Sequence, residues 1–436
     1  AGAPPPLRTA GAARPLHRPP PGGAAGPPST RQLPPPEEAA PVFQYAGKAP
    51  PRKDRVFVWG FSYSGALGVP SFVKPDAGWT PPRRIQPTPY RLETDPPLGP
   101  SGGAAISSAA CGYGPPPLAS NTTDITKVWA PPLNKDSQLG FQRSSPPQTK
   151  GYPPLLEPSP IPLPLEKPPP TRVLQVSCGR AHSLILTDSE GAPPMGNNSY
   201  GQCGRKVIED EIYSDPPLIH QLKEFDSRVV VCGQDPPLFR TKKGSVYACG
   251  PPPDGQTGLG HYNITSVPTK LHGDIAGVNI VQVSSYGDCC LAVSDEGDVF
   301  GWGNSEYLQL ASVTETTQPP PPRHLPFKIG KIKAPPCGGT GNAVLTEEGN
   351  IFVWGYGIPP PGPNLIETAV PEMTPPSLFG WSDFNSDICP PHIRCGLSQF
   401  AAVTPPPLIP LGELFVWGKN LPPPLGTGRM EDQYFP

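Results

Sequence analysis

The chain has 436 residues, 74 of them proline, and 16% charged side chains; 34 basic against 36 acidic residues leave a formal charge of −2. Proline at about three times its usual share excludes an all-helical protein, because each interior proline costs a helix about 3 kcal/mol. No apolar run reaches the ~18 residues of a membrane-spanning helix, and a slightly acidic body is a poor non-specific nucleic-acid binder, since such binding rests on neutralised phosphates.

Residues 1–50 stand apart. They hold Arg8, Arg14, Arg18 and Arg31 and no acid before Glu37; without those four arginines the chain carries 30 basic against 36 acidic residues. An Arg-rich, acid-poor leader has the composition of a mitochondrial transit peptide. Its many prolines and scarce serines suit a low-complexity tail equally well. The expectation is a targeting or disordered leader over 1–50 and a folded domain over 51–436.

From residue 56 onward the chain repeats. An aromatic-x-Trp-Gly element occurs as Val56–Gly60, Lys127–Ala130, Met195-Gly196, Val246–Gly250, Val299–Gly303, Ile351–Gly355 and Leu414–Gly418. The seven copies are spaced by 70, 66, 54, 53, 52 and 63 residues. A Cys-Gly element precedes the later six, at Cys111, Cys178, Cys232, Cys337 and Cys395, with Tyr286-Gly287 in the remaining place. It leads the next Trp position by 18, 17, 17, 16, 17 and 22 residues.

Between the two elements lie hairpin signatures. Leu184–Thr187 runs into Glu190-Gly191, Leu291–Ser294 into Glu296-Gly297, and Ala343–Thr346 into Glu348-Gly349, with Lys243-Gly244 in the same phase. Glycine there supplies the positive φ of a tight turn, and the flanking alternation of β-branched and aromatic residues is a strand pattern. Each repeat offers about four short strands. One such sheet cannot bury both faces, but several packed face to face around an axis can, which predicts an all-β, seven-bladed propeller built from repeats of about 50–70 residues.

Five of the ten cysteines, Cys111, Cys178, Cys232, Cys337 and Cys395, share one repeat phase, which reads as small buried hydrophobes and free thiols of a reducing compartment. No Cys/His spacing fits a zinc site. There is no phosphate loop, no H-E-x-x-H and no spacing that unites serine, histidine and acid. No catalytic residue, metal or cofactor is expected. The reading is a non-catalytic binding scaffold.

The two elements, in this order and spacing over residues 55–430, resemble the regulator-of-chromosome-condensation repeat family. Phe57–Ser62 with Ser64–Gly68, Asn134–Gly140 and Gly303–Leu308 resemble its mitochondrial branch. The resemblance implies guanine-nucleotide exchange, which needs no covalent chemistry: such a factor binds the nucleotide-free GTPase more tightly than the loaded one. It implies that residues just after Cys-Gly emerge on one face and contact the GTPase. Here these are Arg180, His182, Asp235, Asp288 and Gln399. A second reading has the histidine and acids cap their own turns. For the mitochondrial branch, the implied partners are the inner-membrane dynamin-like fusion GTPase, mitochondrial ribosomal proteins and the proteins of a large-subunit ribosomal RNA module. Membrane association would come through partners only. Local RNA contact would fall to Arg52, Lys53 and Arg55 or to Lys328, Lys331 and Lys333. The alternative is a nuclear chromatin-bound exchange factor for a small GTPase, against which the acidic body and the leader argue.

Two departures carry expectations. Proline runs at 115–117, 131–132, 193–194, 236–237, 335–336 and 405–407 interrupt predicted strands, which proline disfavours, so those strands should be irregular or the recorded sequence should err there. The repeat order also calls for another Cys-Gly hairpin after the seventh Trp-Gly. Its lack predicts an incomplete last blade that leaves Val56–Trp59 short of partners.

Overall fold

The computed structural model describes residues 55–62, 66–73, 81–94, 105–112, 116–130, 158–163, 165–179, 182–191, 194–196, 227–232, 237–250, 257–286, 289–303, 321–327, 329–333, 341–357, 366–379, 392–396, 399–404, 413–420, 425–433 and 436. These residues form seven antiparallel sheets in chain order. Blade 1 is β1 (Val56–Phe61) and β2 (Ile85–Leu92), with a short helix, α1 (Pro70–Val73), between them. Blade 2 is β3 (Ser108–Ala109), β4 (Leu118–Ala119), β5 (Val128–Ala130) and β6 (Ser159–Pro160). Blade 3 is β7 (Val173–Cys178), β8 (His182–Thr187) and β9 (Pro194–Gly196). Blade 4 is β10 (Ser227–Cys232), β11 (Pro237–Thr241), β12 (Val246–Gly250) and β13 (Thr265–Lys270). Blade 5 is β14 (Ile280–Tyr286), β15 (Cys289–Ser294), β16 (Val299–Gly303) and β17 (Arg323–His324). Blade 6 is β18 (Gly341–Leu345), β19 (Ile351–Gly357) and β20 (Ile366–Thr374). Blade 7 is β21 (His392–Cys395), β22 (Gln399–Thr404) and β23 (Glu413–Gly418).

Both faces of the middle strands are apolar, and the period-two alternation sends them to opposite neighbours. In β15, Cys290 and Ala292 join Leu238, Val246 and Ala248 of blade 4. Leu291 and Val293 join Val344 and Trp354 of blade 6. In β8, Ile185 packs toward Ala119 and Val128 of blade 2, while Leu184 and Leu186 pack toward Phe239 and Cys249 of blade 4. Val58 and Phe72 meet Leu118 and Trp129 between blades 1 and 2, and Leu345 and Val353 meet Phe400 and Trp417 between blades 6 and 7. The first strands touch one another around the ring: β3 with β7, β7 with β10, and β10 with β14. Sheet against sheet in rotation is the seven-bladed propeller that the repeats predict.

The hairpin glycines take the expected conformation, with φ of 79° at Gly191, 76° at Gly244, 89° at Gly297 and 88° at Gly349. Glu190, beside one of them, is a clamp: its carboxylate accepts from the Glu166 and Lys167 amides at 2.7 and 2.9 Å and from the Thr171 hydroxyl at 2.7 Å.

The glycine of Trp-Gly lies within a strand and also has positive φ, 109° at Gly60, 97° at Gly250 and 87° at Gly355. The register explains it. Val58 pairs with Tyr90 and Gly60 with Gln86, so three residues, 87–89, oppose Trp59 alone. Residues 266–268 likewise oppose Cys249, and 369–371 oppose Trp354. This bulge absorbs proline: Pro89, Pro268 and Pro371 each sit just before the residue that resumes pairing. Among the described strands proline occurs in the outer strands β2, β6, β9, β13 and β20 or at the first residue of a strand, as Pro237 does in β11. Pro116 and Pro117 are buried immediately before β4. Where described, the proline runs therefore fit strand starts and edges, the places a missing N–H is tolerated, and the expected irregularity of those strands is not needed. The rest of the runs lie outside the described residues.

Among the described residues β1 pairs with β2 alone, as the missing hairpin predicts for Val56–Trp59, and the joint between blades 7 and 1 is covered by the tail of the chain instead. Residues 425–433 fold back over it. Gly418 and Gln433 exchange two backbone bonds of 2.8 and 3.0 Å, and the Gly428 amide donates to the Pro87 carbonyl at 2.8 Å. Asn420 is fully buried; its Nδ2 donates to the Arg429 and Glu431 carbonyls at 2.8 and 2.9 Å, and its Oδ1 accepts from the Leu425 amide at 3.2 Å. A Cβ on Gly426 would stand 2.7 Å from the Trp59 indole, as one on Gly258 would stand 2.8 Å from Trp302. The residues after Trp-Gly thus lie on the tryptophan of the next blade at this joint as at the joint between blades 4 and 5. Trp59 is not left bare.

Candidate functional site

The Cys-Gly elements end the first strand of their sheets and turn into the second. Cys178 pairs with Ser183, Tyr286 with Cys289, Cys232 with Pro237 and Cys395 with Phe400. The turns therefore gather at one end of the ring. The bond that closes them repeats: Gly179 N–H donates to the His182 carbonyl and Gly396 N–H to the Gln399 carbonyl, both at 2.9 Å. Neighbouring turns are in contact, because a Cβ on Gly112 would stand 2.6 Å from the Gly179 carbonyl oxygen and 3.0 Å from Cys178 Cβ. Ser108 Oγ accepts the Val176 amide at 3.1 Å and ties blade 2 to blade 3 below the turns.

Of the five residues expected on this face, two are described. His182 does not present its imidazole to a partner: it is 1% exposed and shares a strand face with Leu184 and Leu186, which pack toward blade 4. Its Nε2 has no hydrogen-bond partner, and burial pushes its pKa down from 6.5 to about 4, so the ring is neutral. Gln399 is half-buried and folds over its own turn glycine, Gly396. The turns are closed by the backbone carbonyls of His182 and Gln399, and among the described residues no side-chain bond from His182 to its turn is seen. Arg180, Asp235 and Asp288 lie outside the described residues.

The cysteines divide by position. Cys111 is exposed and Cys178 and Cys395 are half-buried, whereas Cys249, Cys289 and Cys290 are the buried ones. The expectation of buried hydrophobes at the Cys-Gly phase thus fails at Cys111 and is met only in part at Cys178 and Cys395. All six are free thiols. Burial pushes the Cys178 and Cys290 thiols up to about 12, and the bonds to Ser183 and Ser285 only partly oppose this. Such thiols are poor nucleophiles at neutral pH. Among the described residues no group of His, Cys, Asp and Glu could hold a metal ion, and no helix is long and apolar enough to cross a membrane.

The basic candidates sit at the other end. Arg55 is exposed just before β1, and Lys331 and Lys333 are exposed on either side of buried Ile332. Lys331 accepts from the Glu347 amide and Lys333 donates its own to Leu345, which sets this segment beside the Glu348-Gly349 hairpin, opposite the Cys-Gly turns. Glu347 and Glu348 share that end, so its charge is mixed. Arg52, Lys53 and Lys328 lie outside the described residues. The alternation Lys-Ile-Lys was visible in the sequence; the Ser108 bridge was not, since one serine in a two-residue strand leaves no pattern. Asn420 had a signal that went unused: it stands three residues after Trp417, as Ser62 does after Trp59.

Seven sheets, Cys-Gly turns at one end and Trp-Gly glycines at a recurring bulge define an RCC1-type propeller. No family model matches the chain. A mouse RCC1-like G exchanging factor-like protein is 64% identical over 405 residues, 91% of this chain and 85% of its own. The crystal structure of human WBSCR16 superposes with a TM-score of 0.76 at 62% identity, covering 88% of this chain and 93% of that one. Yeast Prp20p, studied for its binding to Gsp1p and histones, shares the fold with a TM-score of 0.57 at 18% identity over 81% of this chain and 78% of its own. The chain belongs to the RCC1-like G exchanging factor-like proteins.

Proposed function

We propose that this chain is a mitochondrial guanine-nucleotide exchange factor that engages the inner-membrane dynamin-like fusion GTPase with its ring of Cys-Gly turns. The observation that carries the reading is the 64% identity to a relative named for G exchange, sustained over 91% of the chain. The geometry supports it: a rigid ring offers several turns at one end, which is how such scaffolds place binding residues. The neutral, buried His182 and the raised Cys178 thiol fit an end that works by positioning and differential binding. The Arg-rich leader supports the mitochondrial address. The test is release of a fluorescent GDP analogue from that GTPase. Wild-type protein should accelerate release, and the triple variant Arg180→Ala, Asp235→Ala, Asp288→Ala should lose the acceleration while unfolding at the same temperature. Unchanged release with wild-type protein defeats the proposal.

A second role, in mitochondrial large-subunit assembly, is supported by the exposed Lys331 and Lys333 on the opposite end, because the two surfaces can be occupied together. Lys331→Glu with Lys333→Glu should reduce co-sedimentation with ribosomal particles at low salt and leave nucleotide release intact. Full co-sedimentation of the double variant counts against it. Co-purification with chromatin in place of mitochondria would favour the nuclear alternative.

A further inference from the structure

The first strands leave a cavity of about 470 Å³ at the hub of the ring, lined by Ser107 and Ser108 of the β3 segment, Gln175 of β7 and Arg394 of β21 among mainly polar surface. Among the described residues Arg394 is its one charged lining residue, and no carboxylate lines it. Its Nη1 donates to the carbonyl of its own neighbour Ile393 at 2.8 Å, which leaves most of a five-donor guanidinium available. Ser108 Oγ is occupied only as an acceptor, from Val176 N–H, so its own hydrogen remains to donate. A cation from blade 7 and a hydroxyl from blade 2 thus face one polar hollow from two walls.

We propose that this hub binds the phosphate group of a small molecule, with Arg394 as the bidentate anchor and Ser108 as a second donor. A guanidinium fork matches phosphate oxygens and stays charged at every working pH. Donors on two walls suit an anion whose oxygens point in several directions. The hollow falls within the roughly 300–1,000 Å³ of small-ligand pockets, so it has room for more than the phosphate itself. None of these residues belongs to the turns assigned to the GTPase.

Calorimetric titration of the full chain separates the sources, with inorganic phosphate, glycerol phosphate and acetate as probes. Phosphate should bind and acetate should not; tighter binding of glycerol phosphate assigns the site to a phosphate ester, and equal binding assigns it to free phosphate. Arg394→Gln should weaken binding about tenfold or more, Arg394→Lys should keep part of it, and Arg323→Gln on the rim should change nothing. Because Ser108 also holds blade 3, Ser108→Ala is read only with an unchanged circular dichroism spectrum. No heat with any phosphate, or full affinity in Arg394→Gln, overturns the proposal.

Discussion

The joint between blades 4 and 5 and the joint between blades 7 and 1 use the same contact and fill it with different material. In both, the loop after Trp-Gly sets a glycine of positive φ against the next tryptophan, Gly258 on Trp302 and Gly426 on Trp59. Between blades 4 and 5 the rest is apolar, a continuous cluster from Leu238 through Val283 to Phe300 and Trp302. Between blades 7 and 1 the work falls to Leu425 and to the amide of Asn420, which draws residues 425–431 into one turn. The first joint is non-directional and tolerant of small shifts; the second holds only while each donor meets its acceptor. A ring can thus contain both a filled seam and a latched one.

The filled seam should fail most severely. Trp302→Ala removes a fully buried indole and should lower stability by about 3–5 kcal/mol, read by urea unfolding; a loss below about 1 kcal/mol would mean that the seam relaxes around the hole. Acid acts next, and at a third joint, that between blades 3 and 4. His182 in its apolar setting takes up a proton at about 4, whereas the unfolded chain does so near 6.5. Between those values the unfolded state binds more protons. Stability is therefore complete above pH 6.5 and falls as the pH drops toward 4, by roughly 3 kcal/mol. His182→Gln should flatten that slope, and an unchanged slope would place the acid sensitivity elsewhere. At the latch, Asn420→Ala leaves two carbonyls and an amide unsatisfied and should cost about 2–3 kcal/mol, with hydrogen exchange rising first in Val56–Phe61. Equal exchange across the ring would show that the latch does not act locally. Smallest is Gly426→Ala, about 1–2 kcal/mol from a φ of 71° and contact with Trp59. Gly258→Ala, with φ of 72°, is its matched control in the filled seam, and a larger thermal shift at Gly258 would show that the filled seam is not the more tolerant of small changes.

The architecture was legible because two short elements recur at constant phase, and a period of two on both faces admits only sheets stacked against sheets. The hairpin glycines were legible for the same reason: one residue type meets one conformational need. The Trp-Gly glycine was less so, since its positive φ comes from three residues opposing one across a strand pair, a relation between segments up to about thirty residues apart. The site was read least well. His182 follows Cys-Gly as a surface residue would, but the strand begins at that residue and turns its ring inward. Charge and spacing cannot distinguish a turn tip from the first residue of a strand. Arg394 attracted no notice because its partners at the hub come from blades 2 and 3, far earlier in the chain.

The prolines of the outer strands bear on the company this molecule keeps. A ring of blades turns the last strand of every sheet toward its surroundings, and each such strand is an invitation for another chain to pair. Pro87 and Pro89 in β2, Pro268 in β13 and Pro371 in β20 remove donors from those margins, and the bulges that hold them bend the remaining ones out of line. The composition that first seemed hostile to regular structure thus keeps neighbouring molecules from zipping together along their perimeters in a crowded compartment.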